Sequence, residues 1–278
     1  MSDNRGIGVI DTLIGLPMEA PVAGEADRHA EIGYLFKEMP TVERSDESIV
    51  ELLAQMDRYG IEIGLIPIVA GDELAVRAVT EHPDRLLGCL DVDPNRGMAA
   101  LTELERAVSE WGVVAAQFMP SLLSPPVPIN HANAYPLYAK CVELDIAVFV
   151  NGGVPGPALP YAPQHPGLVD DVCRHFPDLR FVFRHCCEPW VSLTVKLLLK
   201  YENLFYSTTG FAPKYYPREI IEFANGRGSD KVMYGGYYPY GLELSRIFDE
   251  LADLPLRDEV RPKFLCTNAA RVLKVGAR

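Results

Sequence analysis

The stretch Leu179-Arg180-Phe181-Val182-Phe183-Arg184-His185-Cys186-Cys187-Glu188-Pro189-Trp190 decides the fold. Leu179 to Phe183 is a short apolar run rich in aromatic and β-branched residues, which predicts a buried strand ending at His185. Glu188-Pro189-Trp190 then predicts the start of a helix over Pro189 to Tyr201, with proline in the first turn. A polar residue at the C-terminal end of a buried strand, followed at once by a helix, is the repeating unit of an α/β barrel. Such folds carry their chemistry at those strand ends.

The same unit recurs on both sides. Strands are predicted at Gly8 to Ile14, Ile61 to Ile68, Leu86 to Val92, Val113 to Met119, Ile146 to Asn151, Leu204 to Thr208 and Lys231 to Gly235. Helices alternate with them from Ser45 onward. Ile49, Leu52, Leu53, Met56 and Tyr59 form one apolar stripe, and Gly60 supplies the cap. Strands that are continuously apolar are buried on both faces, as parallel strands are. Eight βα units in 278 residues predict one domain, 1–278, built as a single distorted (β/α)8 TIM-like barrel with a C-terminal helix. An open doubly wound sheet is the competing architecture, but no glycine-rich phosphate loop follows the first strand.

Three Pro/Gly-rich segments, Gly15 to Pro40, Pro120 to Ile129 and Gly152 to Gln164, are expected to roof the mouth. The net charge of -12, with no basic cluster, excludes nucleic acid as a partner. Six scattered cysteines without a CxxC pair point to reduced thiols and a cytoplasmic location. No apolar run is long enough for a membrane span, and no signal peptide is recognisable.

Several short motifs in order narrow the family. They include Val9-Ile10-Asp11, Tyr135-Pro136-Leu137-Tyr138, His165-Pro166-Gly167, Phe176-Pro177-Asp178-Leu179, His185 with Pro189-Trp190, Asn203-Leu204-Phe205-Tyr206-Ser207, Tyr238-Pro239 and Thr267-Asn268-Ala269-Ala270-Arg271. With them the chain resembles the amidohydrolase-related proteins of the amidohydrolase superfamily, especially the decarboxylase-like branch. That resemblance implies a hydrolase or lyase acting on a small carboxylated or cyclic compound, and a homodimer.

The metal site implied by the resemblance is largely missing. Where members carry Asp-x-His-x-His, this chain has Asp11-Thr12-Leu13-Ile14-Gly15, so Leu13 and Gly15 take the two histidine positions. Asn151 stands for a further histidine, and Tyr237 for the aspartate of the last strand. Zinc or manganese needs three or four converging imidazole or carboxylate donors. No tight metal and no other cofactor is therefore expected.

Among the remaining residues, His185, Asp11 and Tyr237 are the candidate catalytic groups: His185 as proton-transfer group, Asp11 as its orienting partner, Tyr237 as donor to a developing charge. Asn151, Gln117, Tyr238 and Arg184 are candidates for substrate contact. For Arg184, strand alternation counted from His185 predicts the opposite direction, toward the helices and a structural ion pair. Cys186 and Cys187 are either small packing residues or a thiol nucleophile activated by His185. Two functions remain open: a metal-independent hydrolase or lyase, and a non-catalytic barrel that binds a ligand or regulates an enzyme. A metal held by Asp11, His185 and Glu188 is a third, with too few donors to favour it.

Overall fold

A computed structural model describes residues 8–17 and 44–276. Its centre is one sheet of eight parallel strands in sequential order: β1 Val9–Asp11, β2 Ile61–Ile68, β3 Leu86–Asp91, β4 Val113–Phe118, β5 Ala147–Asn151, β6 Phe181–Arg184, β7 Leu204–Ser207 and β8 Val232–Met233. The strands curl into a TIM-like (β/α)8 barrel. Helix α1, Asp46–Tyr59, runs as its apolar stripe predicts, from Ser45 to a left-handed Gly60 at φ 68°. No described helix is long and apolar enough to cross a membrane.

Period-two alternation sorts the strand residues into two cores. Phe181, Phe183, Leu204, Tyr206, Val148 and Val150 face outward into the layer shared with the helices. Ile10, Leu65, Cys89, Ala115, Phe149, Val182, Phe205 and Met233, one from each strand, fill the barrel interior. Ala269, Ala270, Val272 and Leu273 of the C-terminal helix Asn268–Leu273 pack beneath that layer and floor the barrel. The expected C-terminal helix is thus present, and it has a definite task.

β1 and β8 are not joined by a ladder. Side chains bridge the seam: Thr12 Oγ1 donates to the Tyr234 carbonyl at 2.9 Å, and the Gly236 N–H donates to Asp11 Oδ1 at 2.7 Å. A π-turn at Lys263–Thr267 packs against both strands, and the Phe264 carbonyl accepts the Tyr234 N–H at 2.8 Å.

Two expected boundaries move for a physical reason. The helix expected from Pro189 begins at Val191, with Trp190 as its N-cap. The strand expected to reach His185 ends at Arg184, because His185, Cys186 and Cys187 all adopt left-handed backbone, with φ of 62°, 61° and 55°. Three consecutive side-chain-bearing residues there cost on the order of 1 kcal/mol each, so surrounding structure must impose the turn. Hydrogen bonds from Gly152 N–H to the Arg184 carbonyl, and from Cys187 N–H to the His185 carbonyl, fix it. The long loop expected at Gly15 to Pro40 lies mostly outside the described residues. The other two stand together at the ends of β4 and β5, where Ser121 Oγ donates to the Pro160 carbonyl at 2.5 Å and Ile129 N–H to the Pro163 carbonyl at 3.2 Å.

Candidate active site

One step beyond each interior residue along its strand lies the layer that lines the mouth. Cys89 leads to Asp91, Ala115 to Gln117, Phe149 to Asn151 and Val182 to Arg184. Ile10 leads to Thr12, whose hydroxyl also bonds to that of Ser207, the equivalent residue on β7, at 2.7 Å. The mouth is therefore a polar ring over an apolar barrel, made by simple alternation.

Arg184 holds the centre of this ring. The expected outward direction is wrong, because alternation runs from Val182 and the left-handed turn resets it at His185. Arg184 is only 2% exposed. It donates to Gln117 Oε1 and, at 2.8 Å, to the Thr12 carbonyl, and its guanidinium carbon lies 4.4 Å from the centre of the Phe149 ring. Its Nε has no partner. The expected structural ion pair is absent: no carboxylate among the described residues lies within ion-pair distance. Burial lowers its pKa, while Cys89, Asp91 and Asp11 act the other way. A guanidinium stays charged even so. Among the described residues, the barrel therefore holds a buried cation without an ion-pair partner.

His185 turns back over this cation and meets Tyr237 edge to face, with ring centres 5.5 Å apart. Its N–H backbone group donates to Thr209 Oγ1 at 3.2 Å, and the same hydroxyl lies 3.4 Å from His185 Nδ1. A β-carbon on Gly210 would collide with the imidazole, so that position requires glycine. The residue is only partly closed off from solvent, yet burial, and secondarily the Arg184 charge, push its pKa down to about 4. His185 is thus neutral at pH 7, not poised at neutrality as an unperturbed imidazole is. Tyr237 is also within the field of Arg184, but burial dominates and raises its phenol.

Asp11 does not orient His185. Ile10 points inward, so Asp11 points outward, and it is fully buried at the seam. Its Oδ1 accepts the N–H groups of Leu13 (3.0 Å) and Gly236 (2.7 Å). Its Oδ2 faces the Tyr234 hydroxyl across Gly236, close enough for that hydroxyl to favour its charge but outside strict hydrogen-bond geometry among the described residues. Burial lifts its pKa to about 6 against the two backbone bonds, the Tyr234 hydroxyl and the Arg184 charge. Tyr238 also leaves the ring. Its side chain packs against the outer apolar layer, and its nearest charges are Glu243 and Glu51.

Asn151, opposite Arg184 in the β5–β6 register, stays at the mouth and makes no side-chain hydrogen bond within the described residues. Cys186 and Cys187 are fully buried, and burial pushes the Cys186 thiol up to about 12 and that of Cys187 higher still. They pack, and no thiolate is available. Glu188 is exposed outside the mouth. His131 and His165 serve as local caps, accepting the N–H groups of Asn133 and Gly167.

Sequence reasoning missed Asp91. It ends β3, faces the mouth, is exposed to it and makes no hydrogen bond or ion pair within the described residues. Counting inward from Cys89 would have found it.

A metal does not fit this set. Among the described residues no three His, Cys, Asp or Glu side chains converge. Leu13 and Gly15 donate nothing, and the hydroxyl of Tyr240 occupies the space a side chain on residue 15 would need.

These features define an α/β barrel with its charged and polar groups gathered at the C-terminal mouth. The chain belongs to the amidohydrolase family, which matches residues 22–275. A comparison with curated protein sequences gives no match. Among solved structures, it is similar to an uncharacterized TIM-barrel protein from Bordetella bronchiseptica, with TM-score 0.76 and 22% identity over 96% of this chain and 98% of that one. A dihydroxybenzoic acid decarboxylase from a Polaromonas species, with bound manganese and the inhibitor 2-nitroresorcinol, aligns with TM-score 0.67 and 17% identity over 96% and 97%. A 4-oxalomesaconate hydratase from Rhodopseudomonas palustris aligns with TM-score 0.65 and 21% identity over 96% and 95%. At these identities the likeness shows the shared fold.

Proposed function

We propose that this barrel is a lyase of the decarboxylase type that binds a small cyclic carboxylate at Arg184 and works without a tightly held metal. One observation carries the reading: a guanidinium buried at the mouth of the barrel, stacked on Phe149, with an unpartnered Nε and no ion pair among the described residues. An unpaired buried charge is costly, and an incoming carboxylate supplies the missing countercharge with planar, bidentate geometry. Neutral His185 and the Tyr237 phenol stand beside it as hydrogen-bonding groups for the rest of the ligand. The decarboxylase named among the similar structures supports the substrate class.

The manganese in that structure argues for a metal, and the donor set of this chain argues against one. No step is assigned to it. The test is calorimetry with benzoate and 2,6-dihydroxybenzoate against the matching uncharged benzamide. The acids should bind and the amide should not, and Arg184→Met should abolish binding of the acids. Equal binding by acid and amide, or by Arg184→Met, would sink the proposal.

A further inference from the structure

Asp91 is the carboxylate of the mouth among the described residues, and the fold gives it no hydrogen bond or ion pair there. It stands two residues beyond the interior Cys89 on β3, opposite Gln117 of β4, which is the amide that Arg184 grips. Asp91 keeps solvent access at the mouth while the surrounding barrel wall desolvates its carboxylate, which accepts no hydrogen bond among the described residues. A carboxylate that neither caps, bridges nor pairs among the described residues, yet faces the cavity of a buried cation, is placed to meet something that enters.

The charges around it define what happens then. Among the described residues Arg184 on β6 is the one cation acting on Asp91, while Asp93 in the following loop disfavours its charge and Cys89 on its own strand shares its field. His185 and Tyr237, across the mouth, are neutral. A ligand carboxylate bound to Arg184 takes away the cation that keeps Asp91 ionised and places a second negative charge beside it. Two carboxylates facing one guanidinium cannot both stay ionised cheaply, so one takes up a proton. The ligand, gripped by the guanidinium, keeps its charge.

We propose that substrate binding at Arg184 drives protonation of Asp91, and that Asp91 then delivers this proton to the carbon that loses carbon dioxide. This rests on the carboxylate-binding reading above. The step balances within the site. The bond from ring carbon to carboxylate breaks, carbon dioxide leaves, and the electron pair stays on the carbon. That pair takes the proton as the Asp91 O–H bond breaks. The Asp91 carboxylate left behind feels the field of Arg184 again, without pairing with it, once the product has gone. Burial already lifts Asp91 to about 6, so only a modest further rise brings it through neutrality.

The test is calorimetric titration of the full chain with 2,6-dihydroxybenzoate at pH 7.5 in buffers of different ionisation enthalpy. The wild type should take up about half a proton or more per ligand bound, by the coupling above. Asp91→Asn should bind at least as tightly with no proton uptake, and should lose about 10²–10⁴-fold in carbon dioxide release. In deuterium oxide the same variant should stop exchanging deuterium into 1,3-dihydroxybenzene, the product ring. Binding without proton uptake, uptake that persists in Asp91→Asn, or unchanged turnover in that variant overturns the proposal and leaves carboxylate binding intact. Failure of the wild type to bind any acid overturns both, as does acid binding that survives in Arg184→Met.

Discussion

The hydroxyl of Tyr240 fills the position that a side chain on Gly15 would occupy. The mouth has therefore closed over one of the places where the resemblance implies a metal ligand. The replacement is steric as well as chemical: restoring a histidine at residue 15 requires Tyr240 to leave. Gly15→Ala should destabilise the protein by about 1–3 kcal/mol, the usual cost of overpacking, and Tyr240→Ala should rescue it partly. Chemical denaturation of both single variants and the double variant measures this coupling. Additive effects would place the two residues apart.

The donor set sets the metal expectation. Protein purified without chelator should carry less than about 0.2 equivalents of zinc, manganese or iron per chain, because Leu13, Gly15 and Tyr237 complete no ligand set. Elemental analysis after dialysis decides it. Near-stoichiometric metal whose removal changes ligand binding would overturn the metal-free part of the proposed function.

Arg184 gives a prediction in which stability and binding separate. Arg184→Met leaves the Thr12 carbonyl without its donor and the Gln117 amide with the Cys89 thiol alone, which costs about 1–3 kcal/mol, and also removes a buried charge unpaired among the described residues, which returns a similar amount. The melting temperature should stay within a few degrees of the wild type while the shift produced by benzoate disappears. A large loss of stability would assign Arg184 to holding the barrel, not to a ligand.

How much of this was legible in the sequence follows from alternation. Strand positions and their order were, because continuous apolar runs and glycine caps are local signals. The mouth was only half legible. His185, Gln117, Asn151 and Tyr237 were found as strand-end polar residues, but their directions depend on where each strand leaves extended backbone. The left-handed run at His185 broke the count from the outer end and sent Arg184 to the wrong face. At β1 the strand end was read through Asp11, whereas Ile10 sets the inward face and Thr12 lines the mouth. Counting from the interior layer upward corrects both, and it finds Asp91 as well.

The cysteines offer a direct check on packing. All six are buried and free, and Cys89, Cys173 and Cys186 are pushed up to about 12 by burial. Native protein should react with fewer than about one equivalent of a thiol-specific disulfide reagent at pH 8, and denatured protein with all six, since only the thiolate attacks. Fast reaction of a native thiol beside His185 would revive the nucleophile.

The last prediction concerns Asp11 and pH. Its pKa is raised to about 6 in the fold from an ordinary 3.8, so the folded state binds the extra proton between these values. Stability from this group is fully present below about pH 3.8 and is lost as pH rises through about 6. At neutral pH the ionised carboxylate is a standing cost, of about 3 kcal/mol at 1.36 kcal/mol per unit. His185 acts in the opposite sense: its pKa is depressed to about 4, so its contribution is present above 6.5 and lost as pH falls toward 4. Asp11→Asn keeps the acceptor that Leu13 and Gly236 use and turns an N–H₂ donor toward the Tyr234 hydroxyl. It should therefore be more stable than the wild type at pH 7.5, by up to about 3 kcal/mol, with the gain shrinking to nothing by pH 4. Urea unfolding of both proteins from pH 4 to 8 reads this difference directly, since His185 is common to both and cancels. An Asp11→Asn protein that is less stable at pH 7.5 would mean that the charge itself, and not its shape, holds the seam between β1 and β8.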